Sequence, residues 1–183
     1  KSRVMPAFSV GPEMLSHHKA VDLESGKALS MSERHWAMTQ DRTTFVPYIS
    51  KALSLLKEVG MHSIGVTSPW DFGIEVEDEY QHSISVSVER VSGSKKAWFF
   101  LRDIVDKPNA KPWVALEEDG RTLVSIPATT REHIWQTIDT PRTDREYVCS
   151  IADGLISEDG KSGEIISILE TGGYPIIICH WQS

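Results

Sequence analysis

The chain has 183 residues, 40% hydrophobic and 25% charged, with a formal net charge of −7 and a pI of about 5.5. That length suits one domain, residues 1–183, with a sizeable core. The acidic balance and the lack of a basic block exclude nucleic acid as the expected partner. No apolar run reaches the roughly 18 residues of a membrane helix, so no transmembrane segment is expected. The two cysteines, Cys149 and Cys179, make neither a disulfide framework nor a CxxC zinc site. The chain opens at Lys1 without methionine or a signal-peptide pattern and stops abruptly at Ser183, which reads as a piece of a longer protein.

In chain order, Val4 to Val10 reads as a short strand stopped by Gly11-Pro12, and Glu13 to Asp22 as a polar stretch. Leu23 to Ser30 is a turn region. Asp41 or Thr43 can cap a helix that tolerates Pro47 in its first turn. Val46, Ile49, Leu53, Leu56 and Val59 form its apolar stripe, and Gly60 its stop. Ser63 to Thr67 is a second strand, broken by the Ser68-Pro69-Trp70-Asp71-Phe72-Gly73 loop. Glu75 to Val91 fits both periods, and its length and acidic first turn favour helix.

Ala97 to Leu101, Trp113 to Leu116 and Thr122 to Pro127 are expected strands, the last two joined at Asp119-Gly120. Arg131 to Ile138 reads as a short helix, Tyr147 to Ile156 as a strand and loop, and Ser162 to Thr171 as a helix ended by Gly172-Gly173. The last ten residues, Tyr174-Pro175-Ile176-Ile177-Ile178-Cys179-His180-Trp181-Gln182-Ser183, read as a buried strand that turns polar at its carboxyl end. Strands alternating with helices predict an α/β fold with a largely parallel sheet, either a barrel or open.

Three polar clusters flank the expected strands, and the carboxyl ends of strands line the active-site crevice in such folds. His17 and His18 with Asp22 offer imidazole and carboxylate to a divalent metal. The same residues also fit a solvated polar loop. In the Ser68–Gly73 loop, Trp70 can form a wall and Asp71 can hydrogen-bond, or Asp71 can cap the following helix. His180 and Trp181 form the third cluster. A further polar stretch bears His35 and Trp36, which fit either a substrate-side loop or, for Trp36, a ring folded onto the core. GxGxxG, GxxxxGK[ST], HExxH and GxSxG are absent.

The order of these clusters resembles the polysaccharide deacetylase (NodB-homology) superfamily, in particular its divergent bacterial members. The resemblance covers Met14 to Gly73 and Ala152 to Ser183. It implies a distorted (β/α) barrel of the NodB-homology type. It also implies a divalent metal, zinc most often, on which water attacks an N- or O-acetyl group of a carbohydrate. His17 is similar to the first histidine of the metal motif, although Val21 stands where the second belongs and Asp22 comes next. The Ser68–Gly73 motif is similar to the family's Arg-x-Pro-aromatic-Gly, with the arginine missing. His180 matches the late histidine that acts as general acid. The family's Asp-Asp motif has no counterpart in Val4 to Val10, so it lies upstream of Lys1 or this protein lacks it.

The resemblance thus implies His17, His18 and Asp22 as metal ligands and His180 and Asp71 as catalytic groups. Trp70, Trp181, Ser68, His35 and Trp36 become substrate contacts, and a secreted or cell-envelope location follows. A non-catalytic carbohydrate-binding relative of the same fold is the second reading. A glycoside hydrolase is the third, and it lacks a second carboxylate at a strand end.

Overall fold

The computed structural model describes residues 10–16, 18–67, 76–103, 111–130 and 145–176. Backbone contacts divide the chain into two compact units. The first comprises Lys1–Leu101 and Trp113–Ile126, and the second comprises Arg102–Pro112 and Pro127–Ser183.

The first unit opens with an antiparallel pair, β1 (Lys19–Val21) and β2 (Ala28–Ser32). The turn between them is closed by Asp22, whose Oδ1 accepts from the Ser25 amide at 2.7 Å and the Ser25 hydroxyl at 2.5 Å. Helix α1 (Glu33–Ala37) follows directly, with Ser32 as its N-cap. Helix α2 (Arg42–Glu58) starts where expected, because the Asp41 carboxylate accepts from the Thr43 amide at 2.9 Å. It ends in a Schellman arrangement: Met61 N donates to Leu56 O, Gly60 N donates to Lys57 O, and Gly60 takes a φ of 84°.

Two expectations for α2 need correction. Pro47 is the sixth residue of the helix and so lies in its second turn. Its missing amide leaves the Thr43 carbonyl without a helical partner, which is cheap because both residues are exposed to water. Val59 is not part of the buried stripe: it is the C-cap and is 71% exposed. The buried face is Phe45, Val46, Tyr48, Ile49, Ala52 and Leu53.

Next come β3 (Gly65–Thr67), α3 (Glu77–Ser92) and β4 (Lys96–Asp103). β3 and β4 pair in parallel, Gly65 opposite Trp98 and Thr67 opposite Phe100, and α3 makes the crossover. α3 resolves the helix-or-strand ambiguity as helix, burying Tyr80, Ile84 and Val88 at helical spacing. Ser83, Ser85 and Ser87 are buried, and each hydroxyl donates to a backbone carbonyl: Glu79 O, His82 O and Val46 O. Ser87 thereby meets α2 directly. Arg42 meets Glu79 at the start of the two helices and Lys57 Nζ reaches Val91 O at their ends. The helices therefore run in the same direction, as successive crossovers onto a parallel sheet must.

β5 (Trp113–Glu118) and β6 (Arg121–Ala128) form the expected antiparallel hairpin. Asp119 and Gly120 both take positive φ, 52° and 76°, as a two-residue I′ turn requires. The strand order is β3-β4-β6-β5, with β3-β4 parallel and β5-β6 antiparallel, so the sheet is mixed. The described strands close no barrel.

One further line of chain borders the sheet. Glu13 bridges Thr67 in parallel, Met14 N donates to Thr67 O at 3.2 Å, and Thr67 N donates to Pro12 O at 2.8 Å. Residues Pro12 to Met14, β3 and β4 are thus three neighbours. The Trp98 ring lies across the first two, where Gly11 and Gly65 leave space that a Cβ would fill.

In the second unit, α4 (Arg145–Leu155) replaces the strand and loop expected over Tyr147 to Ile156. Tyr147, Val148, Ile151 and Leu155 recur at helical spacing, and the short apolar runs between them suggested strand. α5 (Glu164–Glu170) ends near Gly172, whose φ is 72°. The terminal segment is described as far as Ile176 and forms no strand there. Ile176 exchanges hydrogen bonds with Thr129: its amide donates to Thr129 Oγ1 at 2.9 Å and its carbonyl accepts from Thr129 N at 3.0 Å. The expected strand over Val4 to Val10 lies, but for Val10, outside the described residues, as does the expected helix over Arg131 to Ile138. Among the described residues, no helix is long and apolar enough to cross a membrane.

Two outcomes follow for stability. Gly65→Ala forces the Trp98 ring off the neighbouring backbone and should cost about 1–3 kcal/mol in urea unfolding. The hydrogen bond from the Thr43 hydroxyl holds the Asp41 carboxyl below its usual 3.8. The cap's stability is therefore full above pH 3.8 and fades as pH falls through the lower folded value. Asp41→Asn, whose cap does not titrate, should flatten the acid limb of the melting-temperature profile.

Candidate functional site

The strongest concentration of polar structure is at the end of the sheet where Glu13 meets Thr67. Both chains leave the sheet there. One continues into Leu15, Ser16, His17 and His18, and the other enters the Ser68–Gly73 motif. In sequence, two of the three singled-out clusters thus follow adjacent parallel segments.

The first turn is built around Glu33. Its side chain is fully buried, and Oε1 accepts from Leu15 N and Ser16 N, both at 3.1 Å, and from Tyr48 Oη at 2.6 Å. The Glu33 amide donates to His18 O at 3.0 Å, and His18 N donates to Ser16 O at 2.8 Å. The Ser16 hydroxyl donates to Lys19 O.

Tyr48 completes the arrangement. It is buried, and its phenol oxygen accepts from Val21 N at 3.1 Å while donating to Glu33. Burial first, and the Glu33 carboxylate second, push the phenol far above its ordinary range, so the proton that Glu33 needs stays in place. The ring is held by Trp36, 4.3 Å away between centroids. Trp36 in turn meets Phe45 edge-on at 6.1 Å.

The described candidates separate into distinct settings. His18 is exposed on the turn. Asp22 sits on the next bend, where its Oδ1 serves Ser25. That hydrogen bonding, the Ser25 hydroxyl foremost, keeps its carboxyl below the usual value. His35 is exposed on α1 and its Nδ1 pairs with Ser32 Oγ at 2.6 Å. Trp36 is only 8% exposed, and its ring packs in the core. His17, Ser68, Trp70, Asp71, His180 and Trp181 lie outside the described residues.

Imidazoles from His17 and His18 with a nearby carboxylate are donor types that zinc accepts. Among the described residues, no three His, Cys, Asp or Glu side chains gather as a metal site. Ser25 engages Asp22 through Oδ1, so a metal would draw on Oδ2.

Glu33 is the residue that sequence reasoning missed. It follows a serine N-cap and reads as an ordinary first-turn acid, exposed to solvent. Only its burial, reached because β2 hands directly to α1, separates it from such an acid. A second charged group, with His82 Nδ1 2.5 Å from Glu118 Oε2 and Arg121 reaching Glu89 and Asp119, clamps the β5–β6 hairpin to α3.

No family model matches the chain, and no curated protein or solved structure is similar to it at a significant level.

Removing the Glu33 carboxylate strands two half-buried main-chain amides and a buried phenol. Glu33→Ala should therefore destabilise by more than about 3 kcal/mol, given 1–3 for each unsatisfied donor. Tyr48→Phe, which strands Val21 N and removes one donor from Glu33, should cost about 1–3 kcal/mol. Chemical denaturation of the two variants beside the parent checks both.

Proposed function

We propose that the protein is a metal-dependent hydrolase of the polysaccharide deacetylase type, removing acetyl groups from a carbohydrate in a (β/α) barrel of the NodB-homology kind. The observation that carries this reading is the pairing of Glu13 with Thr67. It brings the origins of the histidine turn and of the Ser-Pro-Trp-Asp-Phe-Gly loop to one end of the sheet, the end at which parallel α/β folds place their chemistry. The parallel β3-α3-β4 unit, with α2 and α3 aligned, is the repeating element that such a barrel uses.

In this reading His17 and His18, with Asp22 as the nearest carboxylate, hold the metal. Zinc, when bound, supplies a polarised carbonyl and an acidic water. His180 holds the proton destined for the leaving amine or alkoxide. Asp71 orients the reacting groups by hydrogen bonding, Trp70 and Trp181 stack on sugar rings, and Ser68 and His35 contribute polar contacts to the sugar. A secreted or cell-envelope location accords with such a substrate.

The engagement of Asp22 by Ser25 favours one second reading, a carbohydrate-binding relative that has lost its metal.

The readings part in a single set of measurements. The deacetylase purifies with about one zinc per chain and releases acetate from acetylated glycans. Chelation abolishes release, added zinc restores it, and His180→Ala lowers kcat by about 10²–10⁴-fold. A binding relative retains sugar affinity in chelator and in His180→Ala, with no acetate released.

A further inference from the structure

We propose that Arg34 is an anion-binding residue that selects sugars bearing a carboxylate or phosphate group. The carbohydrate half of this inference rests on the reading above and deepens it by naming the substrate class. The anion half rests on Arg34 and its neighbours alone.

Arg34 lies on α1, half-buried, with its Nε closed off from water and donating to nothing. Among the described residues it forms no ion pair. The other described arginines are accounted for. Arg42 meets Glu79 at 2.9 Å, and Arg121 meets Glu89 at 3.3 Å and Asp119 at 3.1 Å. Arg90 and Arg145 are exposed to water. A guanidinium drawn partly out of water without an acceptor costs stability that nothing in the fold returns. The chain holds 26 acids against 19 lysines and arginines, yet none of the described acids is placed to meet this one. A buried donor of this kind calls for an acceptor from outside.

The surroundings suit an anion. Lys19 stands opposite Ser32, the N-cap of α1, across the β1–β2 pair. His18 O is 3.0 Å from Glu33 N, and His35 follows Arg34 directly. Lys19, His18 and His35 are all exposed. The acid among them, Glu33, is buried and turned to Leu15, Ser16 and Tyr48. A guanidinium fork matches the two oxygens of a carboxylate or phosphate, whereas an ammonium presents a point charge. Partial removal from water strengthens such a pair over one formed at the open surface.

An arginine held for the fold loses stability on replacement. An arginine held for a ligand does not, because its Nε has no internal acceptor to lose. The test uses the full chain and two variants. Arg34→Met keeps the apolar stem without the charge, and Arg34→Lys keeps the charge without the fork. Calorimetric titration takes three probes: a uronic-acid oligosaccharide, its carboxyl-reduced neutral counterpart, and a phosphorylated form of that neutral oligosaccharide. The parent is expected to bind one anionic probe about tenfold or more above the neutral one, and the probe preferred identifies the group. Added salt should shrink that preference. Arg34→Met should erase it, leave affinity for the neutral probe unchanged, and show a urea midpoint no lower than the parent's. Arg34→Lys should retain only part of it. Equal affinity of the parent for charged and neutral probes, or a preference that persists in Arg34→Met, would overturn the inference and leave the carbohydrate reading standing. Failure of all three probes to bind would overturn both.

Discussion

A buried carboxylate is costly unless every lone pair facing the interior meets a donor, and the Glu33 site is arranged around that constraint. Two main-chain amides and a phenol converge on one oxygen. The donors come from two separate stages of the chain's path, the turn after Pro12 and the second turn of α2, gathered by an acid at the start of α1. Satisfying this one group therefore requires the turn, the β1–β2 pair and both helices to be in place together. The aromatic packing of Trp36, Phe45, Tyr48 and Tyr80 supplies the apolar wall that keeps water away from it.

The parallel unit that follows uses a different economy of side chains. α3 buries Tyr80, Ile84 and Val88 together with small serines, whose hydroxyls are satisfied by backbone carbonyls. Its packing on α2 combines the Ser87 hydrogen bond to Val46 with Phe45 and Tyr80 meeting edge-on at 5.7 Å. The outcome at the edge of the sheet is positional: Pro12–Met14 and β3 end side by side.

Much of the fold was legible because local signals act alone. Asp41, Gly60, the acidic first turn of α3 and the Asp119-Gly120 pair each specify a boundary without help from distant residues, and each is where it was expected. The misreadings arose where a decision is non-local. α4 was read as strand because Tyr-Val-Cys and Ile-Ala favour either state at short range, and only their spacing over three turns distinguishes them. Of the candidate site, residue types are legible in the sequence and their arrangement is not. Histidines advertise themselves by type, and the Pro-Trp-Asp-Phe-Gly loop by composition. Glu33 does not, since its role depends on amides nearly twenty residues earlier and on a tyrosine fifteen residues later. Trp36 was open between core and sugar, and the choice went to the core because Tyr48 and Phe45 return to meet it.

The Trp98 ring spread over Gly11 and Gly65 has a consequence for how this protein can change over time. The three positions lie far apart in the chain but share one small volume, so their substitutions are not independent. A side chain at either glycine becomes tolerable only after the indole has been replaced by something smaller. A smaller residue at position 98 leaves a hollow until a side chain at position 11 or 65 fills it. Neighbouring sequences reached by single steps must pass through one of those two poor intermediates, and the order of substitution, not only their sum, decides which sheet ends remain aligned.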